Sequence, residues 1–503
     1  MTSLICSSLY ALSLAATVFA SPLSTFSQHP PPSRSPLGLA PLIGDGHVHG
    51  TINDSYIVIL KDGHPMMLQN HLNYLQMTHE SDALVDQFDG LRHVFNQHIS
   101  GYSGHFSPST IEEMRKMPEV DFIEKDQIVK TLEIETVDEL SVQRGAPWGL
   151  ARISHRPRLT FGTFTRYEYD TDGGEGVDVY VIDTGINTHH IDFGGRAIWG
   201  KTIPLNDVDE DGNGHGSHCA GTIAGKTYGV AKQANVIAVK VLGSNGSGSM
   251  SDVVGGVSWA AGEAMKKDAA ADAEYKATGK TSHKGSVANM SLGGGKSPAL
   301  DAAVNKAVDA GLHFAVAAGN DNKDACNYSP ASAEKAVTVG ASTLSDDRAY
   351  FSNHGKCVDV FAPGLNIKST YKGSETAVAT LSGTSMASPH VAGLLAYYLS
   401  IYPHKTFDPK VQSDFVPADL QSQSHFSSSI YAIAHSAFPR WISCLLPSPE
   451  IVRAVTAPTP GRPKALSPKQ LKTAVLYLAS EGLLDDIPGQ TPNLLVFNNA
   501  TTA

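Results

Sequence analysis

The chain has 503 residues, enough for a large core and a second, smaller domain, and its 46 Gly and 28 Pro imply many turns. Lys and Arg number 38 against 49 Asp and Glu, a net charge of −11, which argues against a nucleic-acid partner and otherwise implies little beyond solubility. Cysteine usage is sparse, at 5 residues.

Residues 4–20 are apolar and small, end in Val18-Phe19-Ala20 and precede Ser21-Pro22, so 1–20 reads as a secretory signal cleaved after Ala20. The rivals, a buried helix or a membrane anchor, are ill suited to the Pro-rich text that follows, and no later stretch is long and apolar enough to span a membrane. Residues 21–52 carry Pro22, Pro30, Pro31, Pro32, Pro36 and Pro41 and read as a flexible linker. His47 and His49 lie there without neighbouring Cys or carboxylate ligands, so a solvated tail is expected in place of a metal site. From Ser55 the pattern changes: 55–60 reads as a strand, 66–95 as one or two helices and 105–106 as a short strand. Ser109-Thr110-Ile111-Glu112 is a capping-box start for a helix to 117, and 120–129 is a final strand. That order makes 53–131 a compact α+β domain of ferredoxin-like type.

After Arg144 strand and helix alternate. Strands are expected at 177–182, 236–242, 287–292, 312–318 and 336–341, and helices at 215–225, 251–267, 299–310 and 384–402. Such alternation predicts an α/β fold, a mostly parallel sheet with helices on both faces, whose active residues gather at the strands' carboxyl ends.

Ser382-Gly383-Thr384-Ser385-Met386-Ala387-Ser388-Pro389-His390 is a small-residue turn running into a helix, which places Ser385 at the positive end of a helix dipole. Ser385 is the candidate nucleophile; it needs a base, a group to orient the base and an oxyanion donor. Asp183 ends a buried strand before Thr184-Gly185, where an orienting carboxylate belongs. His215, in Asn213-Gly214-His215-Gly216-Ser217-His218, stands at a helix mouth as the candidate base. Val316-Ala317-Ala318-Gly319-Asn320 is a buried strand ending in an amide that can donate to an oxyanion. Singly, these four read as well as a strand-end cap, a helix cap, a turn residue and an N-cap; jointly they do not.

Two other motifs fail on spacing. Asp207-Val208-Asp209-Glu210-Asp211-Gly212 begins like an EF-hand loop, but its twelfth position is His218, so it reads as an acidic surface loop. Gly293-Gly294-Gly295-Lys296-Ser297 ends like a phosphate-binding loop but has Met290 where the first glycine belongs. The same glycines, in Ser291-Leu292-Gly293-Gly294, would let a peptide backbone pair edge to edge, with Gly243-Ser244-Asn245-Gly246-Ser247-Gly248 as the opposite wall or as ordinary turns.

The order Asp, His, Asn, Ser in these motifs resembles the subtilisin-like serine proteases of the proteinase K branch. Ala146-Pro147-Trp148-Gly149-Leu150-Ala151-Arg152-Ile153-Ser154 and Asp324-Ala325-Cys326-Asn327-Tyr328-Ser329-Pro330 resemble fungal vacuolar, cerevisin-like members. The resemblance implies a subtilisin-like peptidase domain over 145–503 and a serine endopeptidase acting through Asp183, His215 and Ser385, with Asn320 in the oxyanion hole. It assigns substrate binding to Gly243, Ser244, Gly246, Ser291, Leu292, Gly293, Gly294 and Gly319. A pocket of Gly293, Gly294, Ala318 and Gly319 carries no charge, so broad cleavage after apolar or aromatic residues is expected. Because the base must be neutral, activity is expected to fall below pH about 6–7. Residues 53–131 would be an inhibitory propeptide acting on its own chain, and 132–144 the segment of autocleavage.

By the same resemblance Cys219 is a buried free thiol, with a cysteine nucleophile as the rival. Cys326 and Cys357 follow neighbouring strands and can pair in an oxidising compartment. No cofactor is needed for the chemistry. A structural calcium is implied at Asp359, with carbonyls supplied by Glu334 and Ala336; an ordinary exposed Asp is the rival reading. Residues 411–463 depart from the family, and the resemblance resumes at Ala465-Leu466-Ser467-Pro468-Lys469-Gln470-Leu471-Lys472, so 411–463 reads as a surface insertion or an unspliced intron carried into the translated sequence. Cys444 lies inside it. The expected partners are protein and peptide substrates, with no nucleic acid, no membrane anchor and a monomeric state. The vacuole and the cell exterior are both open as destinations. Asn245-Gly246-Ser247, Asn327-Tyr328-Ser329 and Asn499-Ala500-Thr501 are glycosylation signals. A catalytically silent relative that binds or inhibits through its first domain is the alternative.

Overall fold

The computed structural model describes residues 39–44, 50–61, 68, 71–72, 91–96, 98–131, 145–403, 407, 462 and 465–500. The expected signal at 1–20, most of the linker 21–52, the processing segment 132–144 and, save Arg462, the insertion 411–463 lie outside the described residues.

The first unit contains β1 (Leu42–Ile43), β2 (Thr51–Leu60), β3 (Leu91–Phe95), β4 (Gly101–His105), α1 (Pro108–Lys116) and β5 (Val120–Thr131). Its strands run β5-β2-β4-β3, antiparallel throughout, with β1 parallel to β5. The alternation in β2 sorts its side chains. Tyr56, Val58 and Leu60 join Tyr102, Ile111, Met114 and Ile123 in the unit's own core, while Ile57 and Ile59 pack into the core of the second unit. Two expectations are corrected here. Leu91–Phe95, expected in a helix, is a strand because it pairs with β4 and buries Phe95; of residues 66–90 only Leu68, His71 and Leu72 are described, and they are helical. The α1 cap is Ser107, not Ser109: Pro108 suits the first helical position, and Thr110 N–H donates to Ser107 Oγ at 3.2 Å.

The second unit continues with α2 (Trp148–Ile153), β6 (Val177–Asp183), β7 (Ala197–Thr202), α3 (His215–Ala224), β8 (Asn235–Lys240), β9 (Ser247–Ser249), α4 (Met250–Thr278), β10 (Gly285–Met290), β11 (Leu292–Gly295), α5 (Pro298–Asp309), β12 (His313–Ala317) and β13 (Tyr328–Ser329). Then come β14 (Val337–Ser342), β15 (Val360–Pro363), β16 (Ile367–Thr370), β17 (Val378–Leu381), α6 (Thr384–Ile401), α7 (Pro468–Leu478), β18 (Ser480–Glu481) and β19 (Leu494–Leu495). The main sheet has the order β18-β19-β15-β14-β12-β10-β6-β8-β7 and is parallel except at β18. Strand β6 is buried on both faces: Val177, Val179 and Val181 lie in the core shared with α3 and α6, and Tyr180 and Ile182 in the core shared with α4. Helix α4 outruns its expected end at 267, because Ala269, Ala270, Ala271 and Ala273 sustain it until Gly279, in the left-handed region at φ 72°, stops it. Among the described residues no helix is long and apolar enough to cross a membrane.

Candidate active site

The parallel sheet delivers Asp183 at the end of β6, and α3 opens beside it with His215 as its first residue. Gly216 permits that approach, since a Cβ there would stand 2.1 Å from the Gly185 carbonyl oxygen. His215 Nδ1 and Asp183 Oδ1 are 2.7 Å apart, and both side chains are fully buried. Thr184 N–H also donates to Asp183 Oδ1, at 2.7 Å. An ionised carboxylate only accepts, so Nδ1 carries the imidazole proton and Nε2 keeps its lone pair. Burial holds two neighbouring histidines neutral, His218 down to about 3 and His390 down to about 4, so neither adds a permanent positive charge near His215.

The acidic stretch before α3 is exposed at Val208, Asp209 and Glu210, as expected of a surface loop, but its last acid is not. Asp211 is buried; its Oδ1 accepts from Thr184 Oγ1 and Gly214 N–H, each at 2.8 Å, and its Oδ2 accepts from Ser217 N–H at 2.9 Å and Ser217 Oγ at 2.6 Å. It therefore ties the end of β6 to the first turn of α3. The buried Lys240 ammonium donates to the carbonyls of Thr184 and Glu210, each at 3.1 Å, and lies 3.4 Å from Asp207 Oδ2. An Asp placed shortly before a Gly-His helix start was the available sequence signal for a cap.

Helix α6 is buried along its whole length, with Ser385 in its first turn. Pro389 has no N–H, so the Ser385 carbonyl lacks the intrahelical donor four residues on. Ser291 Oγ donates to that carbonyl at 2.8 Å and Cys219 Sγ at 3.5 Å. Cys219 lies one turn beyond His215 in α3, so the contact sets the candidate base and nucleophile side by side. Ser385 Oγ donates to the Ser291 carbonyl at 2.9 Å. Asn289 Nδ2 donates to Ser291 Oγ at 3.0 Å, and Asn289 Oδ1 accepts from Ser388 Oγ at 2.8 Å. Ser291, expected only to border substrate, thus spends its hydroxyl on placing Ser385.

Asn320 Oδ1 accepts from Thr384 N–H and Thr384 Oγ1, both at 2.9 Å. This fixes the amide so that its donor, Nδ2, points away from Thr384; Nδ2 is buried with no hydrogen-bond partner among the described residues. Gly319 occupies the left-handed region at φ 104°, and a Cβ there would stand 2.3 Å from Asn353 Nδ2.

The two glycine-rich walls face one strand. The end of β5 pairs antiparallel with β9, Ile128 opposite Ser249, Val129 opposite Gly248 and Lys130 opposite Ser247. On its other edge it pairs antiparallel with β11, Lys130 opposite Gly293 and Thr131 opposite Leu292. Gly294 pairs onward with Ser329 of β13. Gly243, Ser244 and Gly246 form the turn feeding β9, closed by Gly243 N–H to the Ser247 carbonyl at 2.9 Å, so the ladder itself begins at Ser247, one residue past Gly246.

Cys326 and Cys357 form a disulfide, and Cys219 is a buried thiol outside it. Asp183, His215 and Cys219 are the one group among the described residues with metal-ligand character, but the first two face each other and the thiol is directed at the Ser385 carbonyl. Asp359 Oδ2 accepts from Thr338 N–H at 2.8 Å and from Lys472 Nζ at 2.8 Å.

Comparisons with known proteins point to one family. The model of the subtilase family matches residues 174–421, and that of the peptidase inhibitor I9 family matches residues 55–132. Subtilisin-like serine protease Pen ch 18 of Penicillium rubens is 53% identical over 470 residues, 90% of this chain and 82% of the relative. Alkaline protease 2 of Aspergillus fumigatus is 49% identical over 478 residues, 92% of this chain and 84% of the relative. Among solved structures, a cold-adapted subtilisin-like serine proteinase matches 71% of this chain and 99% of its own, with a TM-score of 0.51 and 38% identity.

Proposed function

This chain belongs to the subtilase family of serine endopeptidases and carries an I9 inhibitory domain ahead of its catalytic one, and we propose that Asp183, His215 and Ser385 are its triad and Asn320 its oxyanion donor. The observation that carries this assignment is the buried 2.7 Å bond between His215 and Asp183, on a helix whose Cys219 contacts the Ser385 carbonyl. His215 Nε2 takes the Ser385 proton as Oγ attacks the scissile carbonyl, and Asp183 stabilises the imidazolium that results. Asn320 Nδ2 and the Ser385 N–H, left without an intrahelical acceptor at the start of α6, hold the oxyanion. His215 then returns the proton to the leaving amine, and water repeats the sequence on the acyl-enzyme. His218, kept neutral by burial, adds no repulsion to the charge that forms on His215.

Substrate enters as a strand between β9 and β11, beside Gly243, Ser244, Gly246, Ser291, Leu292, Gly293, Gly294 and Gly319, with apolar or aromatic residues before the cut. The end of β5 in that position supports the reading, because it is a peptide of the same chain paired on both edges. Residues 53–131 are the inhibitory propeptide, and the order β5-β2-β4-β3 with α1 supports a ferredoxin-like arrangement. Residues 1–20 serve as a signal and 132–144 as the processing segment, which sends the monomeric zymogen through the secretory pathway to the vacuole or exterior. The Ala146 to Ser154 motif and the Cys326–Cys357 pair support the cerevisin-like branch.

Expression of residues 21–503 beside a Ser385→Ala twin tests the assignment by intact mass and by hydrolysis of a peptide with an apolar residue before the cut. The parent is expected to lose a segment ending within 132–144 and to cleave, and the twin to do neither. A folded parent that stays full length and inert would sink the proposal.

A further inference from the structure

The family resemblance places a structural calcium among Asp359 and the carbonyls of Glu334 and Ala336, and these oxygens do converge, but on a lysine. Lys472 Nζ donates to the Glu334 carbonyl at 2.9 Å, the Ala336 carbonyl at 2.6 Å and Asp359 Oδ2 at 2.8 Å. An ammonium has three N–H donors and meets three acceptors here, so its valence is satisfied. Calcium requires six to eight oxygens at about 2.3–2.6 Å. A divalent ion among these three would lie within a few ångströms of a fixed positive charge, so the residues present do not fit the metal.

We propose that the Lys472 ammonium takes the place of a structural divalent cation, clamping the Glu334–Ala336 loop to β15 from the C-terminal helix α7 and making this site independent of calcium. The lysine is held there by its own helix. Ser467 caps α7 in a complete capping box with Gln470, and Leu471, Ala474, Val475 and Leu478 are buried. Two carbonyls and a carboxylate aimed at one point repel unless a cation sits between them, and burial already pushes the Asp359 carboxyl upward while Lys472 pulls it back. The clamped loop connects β13, whose Ser329 pairs with Gly294 of the groove wall, to β14. A cation carried by the chain cannot be stripped by a chelator, whereas a bound ion obeys mass action.

The test uses the full chain with Ser385→Ala, which prevents self-cleavage, and measures bound calcium by equilibrium dialysis at millimolar free calcium together with the melting temperature. The parent is expected to hold no more calcium than the same chain carrying Asp359→Asn. Lys472→Met in that background is expected to melt roughly 3–8 °C lower in EDTA, since it leaves the oxygens uncompensated. One extra calcium per chain in the parent relative to Asp359→Asn overturns the proposal. So does a Lys472→Met protein that melts within about 1 °C of the parent, an outcome that does not depend on Asp359→Asn folding.

Discussion

Asn320 Nδ2 meets no acceptor among the described residues, yet its amide is fixed by two bonds from Thr384, so its orientation is set before substrate arrives. Asn320→Ala is therefore expected to lower kcat by about 10²–10³ with little change in KM, because the lost donor acts on charge that exists only in the transition state. Steady-state kinetics on a peptide substrate would check it, and a loss confined to KM would contradict it. Ser291 offers a second case. Ser291→Ala strips the Ser385 carbonyl of its stronger donor, leaving the thiol of Cys219, and a buried acceptor so weakened costs about 1–3 kcal/mol. A lower melting temperature and a reduced kcat are expected together, whereas Cys219→Ser, which keeps a donor, should spare both. As candidates, Asp183, His215, Asn320 and Ser385 stand out in the sequence because each sits in a short local motif. The Ser291 hydroxyl and Lys472 do not, since what each does depends on partners that folding brings from elsewhere, 94 positions away for Ser291 and 113 for Lys472 and Asp359, whereas Asp211 bonds mainly within its own motif, to Gly214 and Ser217.

At the scale of elements, helices and strands of the catalytic unit followed from periodicity, because a parallel sheet covered on both faces writes nearly continuous apolar runs such as 177–182. The first unit was harder. Leu91–Phe95 contains residues that suit either state, and only pairing with β4 decides for strand. The disulfide closes a segment with a sequence separation of 31 that includes β13, so its loss frees the unfolded chain. By loop-closure entropy Cys357→Ser should cost about 3–4 kcal/mol, read as a lower denaturation midpoint with a dependence on denaturant that is steeper, since the freed unfolded chain exposes more surface. Reduction of the parent should reproduce the shift, and if neither treatment moves the midpoint the bridge contributes no stability.

Across the whole molecule, two buried carboxylates of the first unit cap two helices of the second. Glu124 Oε2 accepts from Ala299 N–H of α5 at 3.0 Å, and Asp126 accepts from Ser251 N–H of α4 at 2.9 Å and Ser251 Oγ at 2.6 Å. Burial pushes Glu124 up to about 7, with Asp301 nearby adding repulsion, while burial pulls His98, bonded to the Ala303 carbonyl at 3.1 Å, down to about 4. Undocked and solvated, the two groups would titrate near their ordinary values of about 4.3 and 6.5. The signs then oppose. Raised in the docked state, Glu124 favours docking at low pH and withdraws that support as pH rises toward 7; lowered there, His98 favours docking above about 6.5 and withdraws support as pH falls toward 4. Between about 4.5 and 6.5 the contributions of Glu124 and His98 oppose each other, and Asp126, whose carboxyl burial also pushes up, leaves docking in the parent weakening as pH rises. Removing either group should expose the other. Relative to the parent, Glu124→Gln in the Ser385→Ala chain is expected to tilt the profile toward weaker docking on acidification below pH 6.5, and His98→Gln toward stronger docking, each by up to about tenfold per pH unit. Hydrogen exchange at the β5–β9 ladder, corrected for its intrinsic pH dependence, reads the undocked fraction directly. Identical profiles in the parent and both variants would show that neither group is linked to docking, and would leave the two helix caps as static contacts.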